Sequence, residues 1–368
     1  MMRDFVKDRA RPEIFPLKPY VPGKPIEEVK RELGLDDIIK LASNENPLGP
    51  SPAAFKAVGE FLSQLHIYPD GNCYELKKRL ASFYGVEEKA ILVGNGSDEL
   101  LKLMAETFLN RGDEIIYAQP SFSEYEFVAR IMGAECIEVP LVDFTHDLEA
   151  IYNAVTARTK LIIICNPNNP TGTIVSAEAI DEFMQKISDD ILVVFDEAYA
   201  EYVESKDYVS GLKYVKEGRN VIVLRTFSKI YGLASLRVGY GLTTPGIAAA
   251  IERVTEPFNV NMPAQIAGLA AIDDTEHVSR SQATNSSGKK YLYDEFEKMG
   301  ISYVPTDANF IFLDAGKDCQ EVFKALLKLG VIVRTGDIFG YPSFIRVTIG
   351  TASENDRFIQ GLKQVLDK

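Results

Sequence analysis

Three short runs of apolar, largely β-branched residues, at 161–165, 191–196 and 221–227, begin 30 residues apart, twice over. No polar residue interrupts the first run, and the second carries only its terminal Asp196. Strands of this kind need cover on both faces, and a helical pattern at 177–187 fills the space between the first two. That combination specifies a parallel sheet with helices on either side.

The same alternation extends outward. A run at 90–93 is broken by Gly94-Asn95-Gly96-Ser97-Asp98-Glu99 and continued by an amphipathic stretch at 100–109, which reads as strand, glycine turn and helix. Strand patterns follow at 114–118, 135–140 and 237–242, with helices at 124–132 and 245–254. Upstream, five prolines within 11–25 predict an extended arm, and helices are predicted at 53–65 and 74–84. Beyond Pro263 the pattern changes to helices at 264–272 and 278–299, then strand, strand, helix, strand, strand and helix. The last helix is expected to open at Ser353, with Asp356 completing a capping box. The expected organisation is an arm (1–39), a large, mostly parallel α/β domain (40–262) and a smaller α+β domain (263–368).

Composition narrows the functions. Lys and Arg total 40 against 53 Asp and Glu, a net charge of −13, which argues against a nucleic-acid partner. An apolar fraction of 46% supplies a large core and excludes a disordered chain. The first 16 residues carry Arg3, Asp4, Lys7, Asp8, Arg9 and Arg11 with no apolar stretch, so no secretory signal is read there. The apolar runs are far shorter than the ~20 residues of a membrane helix, and a soluble, cytoplasmic protein is expected. Cys73, Cys136, Cys165 and Cys319 are widely spaced and the histidines are His66, His146 and His277. Neither a zinc site nor a disulfide framework is expected from that pattern.

Ligands of open α/β sheets sit at the carboxyl ends of the strands, and the residues found there carry chemistry. The turn Gly94-Asn95-Gly96-Ser97-Asp98 opens a helix, which suits either an anion such as phosphate or a plain turn. Asn166-Pro167-Asn168-Asn169-Pro170-Thr171-Gly172 can aim an amide side chain. Asp196 ends a buried strand, where a carboxylate needs a cationic or N–H partner, and a structural ion pair would also satisfy it. Ser228 and Lys229 follow the third run, with Arg237 eight residues on; apolar flanks around Lys229 would desolvate its amine and free it for Schiff-base chemistry. Lysine, carboxylate, phenol, amide and anion cup together are what pyridoxal phosphate requires.

The chain resembles the fold-type I pyridoxal-phosphate aminotransferases over essentially its whole length. The residues that carry the resemblance are Asn169-Pro170-Thr171-Gly172, Asp196-Glu197-Ala198-Tyr199, and Ser228-Lys229 with Arg237. Leu17-Lys18-Pro19-Tyr20, the stretch from Leu41 to Gly49, Tyr68-Pro69-Asp70-Gly71 and Gly94 to Glu99 narrow it to the histidinol-phosphate aminotransferase subfamily. The resemblance implies pyridoxal 5′-phosphate as cofactor and ping-pong amino transfer between L-glutamate and imidazole-acetol phosphate in histidine synthesis. It implies Lys229 as the catalytic residue, Asp196 on the pyridine nitrogen, and Asn169 and Tyr199 on the ring oxygen. Gly96, Ser97, Asp98, Thr226, Ser228 and Arg237 would bind the phosphate, and Phe122 would stack on the ring where many relatives have Tyr. Arg346, Arg334, Tyr20 and Asn169 would bind substrate. Tyr68 would reach the neighbouring subunit's cofactor, implying a homodimer with shared sites; a local core tyrosine is the other reading of Tyr68. An aromatic amino acid aminotransferase and a threonine-phosphate decarboxylase of the same fold are the rival activities. No role is assigned to the histidines, and no metal is implied.

Overall fold

A computed structural model of the chain describes residues 4–17, 19 and 23–367. The three apolar runs lie side by side at the centre of a seven-stranded sheet. Its strands are β1 (Ile91–Gly94), β2 (Glu114–Gln119), β3 (Glu135–Pro140), β4 (Thr159–Cys165), β5 (Leu192–Asp196), β6 (Val221–Thr226) and β7 (Gly239–Leu242). Their order is β1-β7-β6-β5-β4-β2-β3. Strand β7 runs antiparallel to both neighbours and every other pairing is parallel.

Alternate residues of the central strands feed two separate cores. Ile162, Ile164, Val193, Phe195, Val221 and Val223 pack on one side; Leu161, Ile163, Leu192, Val194, Ile222 and Leu224 pack on the other. Two buried faces explain why these strands lack the polar alternation of a half-exposed sheet. The first side is covered by α1 (Pro52–Phe61), α2 (Tyr74–Tyr84), α5 (Ala177–Lys186) and α6 (Met262–Ala271), and the second by α3 (Ser97–Phe108) and α4 (Glu124–Met132).

The smaller unit is a four-stranded antiparallel sheet of β8 (Tyr303–Val304), β9 (Phe310–Asp314), β10 (Arg334–Thr335) and β11 (Phe344–Thr348), in the order β10-β11-β9-β8. Three helices, α7 (Thr275–Met299), α8 (Cys319–Lys328) and α9 (Ala352–Leu366), close its core through Phe296, Val322, Leu326, Phe358 and Leu362. The N-terminal segment joins this unit. Ile39 and Lys40 pair in parallel with Val331 and Ile332, and Leu41 is buried in the same core.

The α/β layer and the α+β unit follow the sequence-based expectation, with local differences. Within the stretch expected to be extended, 11–25, the described residues hold a 3₁₀ turn at Pro12–Ile14, and helices at Phe5–Arg9 and Ile26–Leu33 flank it. The third of the four strands expected beyond Pro263 divides at the buried Val333, because residues 331–332 pair with 39–40 and residues 334–335 pair with β11. The capping box of α9 is also two residues earlier than expected. Thr351, rather than Ser353, accepts from the Glu354 N–H, and the Glu354 carboxylate takes the Thr351 N–H at 2.8 Å. Both pairs have the same spacing, but only the earlier one satisfies two otherwise unpaired N–H groups at once.

Loss of the Thr351 hydroxyl in Thr351→Ala is expected to destabilise the chain by about 1 kcal/mol. Ser353→Ala is expected to stay within about 0.5 kcal/mol of the parent. Urea unfolding of the two variants separates the positions.

Candidate active site

The carboxyl ends of β2, β4, β5 and β6 open onto one cavity of about 680 Å³. Of the residues singled out in the sequence, Ser97, Asp98, Phe122, Asn169, Asp196, Tyr199, Thr226, Ser228, Lys229, Arg237, Arg334 and Arg346 all border it. Gly96 caps the helix behind Ser97. Tyr68 does not enter; it is 80% exposed and stacks on Phe258 at 4.9 Å, so it is not a local core residue. Tyr20 lies outside the described residues.

Asp196 is the last residue of β5 and is buried. Its partners are neutral: the Tyr125 hydroxyl donates at 2.7 Å and the Ala198 N–H at 3.3 Å. Burial outweighs these bonds and pushes the carboxyl up from its ordinary 3.8 to about 6. A carboxylate in this state gains strongly from any cationic N–H brought to it.

Lys229 follows β6 and is half-buried. Its Nζ donates to the Ser43 carbonyl at 3.2 Å and sits 5.7 Å from the Tyr199 ring centroid. Burial first, and then the charge of Arg346, bring its amine down from 10.5 to about 8. A sizeable neutral fraction therefore exists near neutral pH, which is the condition for a nucleophilic amine.

Donors converge at the start of α3. Gly96 has φ +87°, and a Cβ there would stand 2.6 Å from Arg237 Nη2, so glycine lets the guanidinium close on the helix N-terminus. Arg237 itself adopts a left-handed backbone at φ 55°, a conformation held by its surroundings. Its guanidinium donates to Ser228 Oγ at 3.3 Å, to the Ala234 carbonyl at 3.0 Å and to Asp98 at 3.1 Å. Twelve aligned peptide units, a guanidinium and nearby hydroxyls are a donor set that could hold an anion.

The opposite wall comes from the smaller sheet. Arg346 on β11 faces Arg334 on β10 directly across the antiparallel ladder. The two guanidinium-bearing residues therefore share one register position on the cavity side of the smaller sheet. Arg346 also donates to Asn169 Oδ1 and, at 2.9 Å, to the Ala42 carbonyl. Tyr199 accepts from Asn44 Nδ2 at 3.0 Å.

Several residues with no role assigned from sequence hold this arrangement. Tyr125 supports Asp196 from within a helix whose periodicity marks it only as core. Asn44, buried at φ 57°, ties Tyr199 to Thr348, whose Oγ1 takes the Asn44 N–H at 2.9 Å. His146, buried and with its pKa lowered to about 4 by desolvation, meets Asn168 Oδ1 at 3.2 Å, and Ser121 reaches the same oxygen at 2.8 Å. His277 lies 3.3 Å from the Asn46 amide. Two histidines thus brace motif loops, a placement that no spacing or motif signals in advance.

Comparison with known proteins places this geometry in a family. Residues 36–362 match the profile of the family described as aminotransferase class I and II. The chain is 57% identical over 359 residues to the histidinol-phosphate aminotransferase of Moorella thermoacetica, covering 97% of this chain and 93% of that one. It is 51% identical over 350 residues to the enzyme of the same name from Caldicellulosiruptor saccharolyticus, covering 95% and 98%. Its fold superposes with a TM-score of 0.90 on the crystal structure of histidinol-phosphate aminotransferase from Sinorhizobium meliloti in complex with pyridoxal 5′-phosphate, at 27% identity and 98% of both chains.

The raised carboxyl of Asp196 has a stability consequence in the cofactor-free chain. A carboxyl whose folded pKa exceeds its unfolded value weakens the fold above the folded pKa, and the penalty vanishes below the unfolded one. Asp196→Asn is therefore expected to stabilise the cofactor-free protein by up to about 3 kcal/mol at pH 7–8. The gain should fade as pH falls from about 6 towards 3.8. Denaturant unfolding across that pH range checks it; a pH-independent effect would contradict the assignment.

Proposed function

The chain belongs to the class I and II aminotransferase family, and on that premise we propose that it transfers an amino group between L-glutamate and imidazole-acetol phosphate, giving 2-oxoglutarate and L-histidinol phosphate, with pyridoxal 5′-phosphate as cofactor. The observation that carries the substrate reading is the opposed pair Arg334 and Arg346, a second anion receptor in the same cavity as Lys229 and the α3 anion site.

The residues fit the cofactor. Asp196 is a buried carboxylate held by neutral donors, and a protonated pyridine nitrogen is the partner it lacks. When bound, pyridoxal phosphate supplies an aldehyde to receive the amino group and a ring that accepts electrons from the adjacent carbon. Lys229 would hold the cofactor at its aldehyde end through its neutral amine, and the same Nζ would be the group that moves the proton at the substrate's α-carbon. Asp196 would keep the ring nitrogen protonated, while Asn169 and Tyr199 would hold the ring oxygen. The amides of Gly96, Ser97 and Asp98, with Thr226, Ser228 and Arg237, would grip the phosphate, and Phe122 would cover the ring. Arg346, Arg334 and Tyr20 would take the substrate's phosphate or the glutamate side-chain carboxylate, since a guanidinium binds either in bidentate fashion.

The assembly we infer is a homodimer. Tyr68 and four large apolar residues near it in sequence, Phe55, Leu62, Leu65 and Ile67, are all exposed, which supports cover by a partner. Tyr68 would serve the partner's phosphate site. We further propose a cytoplasmic location; among the described residues no helix is long and apolar enough to cross a membrane. We place the change from large to small unit inside α7 rather than at residue 262, because α6 packs into the large core while Leu292 and Phe296 of α7 belong to the small one.

Histidinol phosphate has no carboxylate, so its phosphate is the one anion available to the paired arginines. Removing it forfeits at least one charge-assisted contact of ~1.5–3 kcal/mol. Histidinol is therefore expected to be about tenfold to a hundredfold or more worse in kcat/KM than its phosphate. Comparing histidinol phosphate, histidinol, phenylalanine and tyrosine with 2-oxoglutarate at one pH tests the assignment. Parity of histidinol with its phosphate, or a higher value for phenylalanine, would give the site to an aromatic aminotransferase.

Shared sites make a separate expectation. Lys229→Ala and Tyr68→Ala chains, each inactive alone, should form mixed dimers with one intact site. Equal mixing should recover about a quarter of parental activity, as a two-fold dimer requires. No recovery after verified subunit exchange would rule out sharing.

A further inference from the structure

Arg225 is the one charged residue of β6, a strand buried along its whole length. Its neighbour Thr226 faces the cavity, so Arg225 emerges on the reverse side of the sheet. There Nε and Nη2 both donate to Glu197 Oε2, at 2.9 and 2.6 Å, and Nη1 donates to Glu201 Oε1 at 2.9 Å. Glu197 also accepts from the Gly211 N–H at 2.6 Å and from Ser210 Oγ at 2.8 Å. The Arg225 guanidinium lies 5.9 Å from the Tyr84 ring centroid.

Buried ion sets contribute little net stability, because desolvation offsets most of the Coulomb attraction. What distinguishes this one is its position in the chain. Glu197 is the residue after Asp196, and Glu201 comes two residues after Tyr199. Alternation along the strand sends Asp196 to the cavity and Glu197 to the reverse face. The segment carrying both cavity groups is therefore pinned from behind at each end by one guanidinium.

Building on the cofactor reading above, we propose that Arg225 is a positioning residue, which fixes Asp196 and Tyr199 against the pyridoxal ring by clamping Glu197 and Glu201 on the far side of the sheet. It touches neither cofactor nor substrate. A planar guanidinium fork suits this role because it fixes direction as well as distance, which an ammonium cannot.

The test is the affinity of the full-length, cofactor-free chain for pyridoxal 5′-phosphate, followed by absorbance with no amino donor present. Arg225→Lys keeps the charge and loses the fork, and is expected to bind the cofactor about tenfold more weakly or worse. In the double variant with Asp196→Asn, the loss should fall well short of the product of the two single losses, since both act through one contact. A folded Arg225→Lys protein with parental affinity, or strictly multiplicative losses, would overturn the proposal. If Arg225→Lys does not fold, Glu201→Gln, which leaves the Arg225–Glu197 fork whole, is expected to weaken binding about threefold; parental affinity there overturns the proposal equally. A parent chain that binds no pyridoxal phosphate would overturn the proposed function instead.

Discussion

Everything in this structure depends on burying β4, β5 and β6 on both faces. Their backbone groups are satisfied within the sheet and their side chains are spent on two cores, so they present chemistry only where they end. Asp196 and Lys229 stand at such ends, and Asn169 stands in the loop that follows one. The smaller sheet then supplies what the strand ends cannot, a second pair of cations across the cavity. The site is less a pocket carved into the protein than the rim left over once the core is closed.

That rim is held in an electrostatically unfavourable state. A carboxylate is buried with neutral donors, an amine is desolvated to about 8 beside an arginine, and two arginines face each other across a ladder. The buried carboxyl in particular is relieved by a group of the opposite sign. On the proposed reading the arrangement is a mould of the ligands' charges: a cation at Asp196, an anion at α3 and a second anion at Arg334 and Arg346. Part of the binding energy of such ligands is stability the empty protein lacks.

Much of this is legible in the sequence, for physical reasons. The 30-residue spacing of apolar runs leaves few folds open, and strand ends are where motif residues fall. Other features cannot be read there. Tyr125 sits at a helical core position, and nothing in its spacing reveals the bond to Asp196. His146 and Asn44 act through partners that adjoin them only after folding. Glu197 and Arg225 lie next to motif residues, but their opposite orientation follows from strand register rather than from composition. The capping box is expected two residues late because two pairs of the same spacing overlap, and local sequence does not rank them.

The N-terminal ladder bears on how the chain is made. Residues 39 and 40 pair with 331 and 332, the Arg346 guanidinium grips the Ala42 carbonyl, and Asn44 leans on Thr348. A ribosome delivers these partners some 300 residues apart. The central sheet has all its strands by residue 242 and can close early, while the segment over Tyr199 must wait for β11 to emerge. An incomplete chain can thus own a closed central sheet and yet lack the cavity wall that carries Arg334 and Arg346 and the contacts that fix residues 42–44.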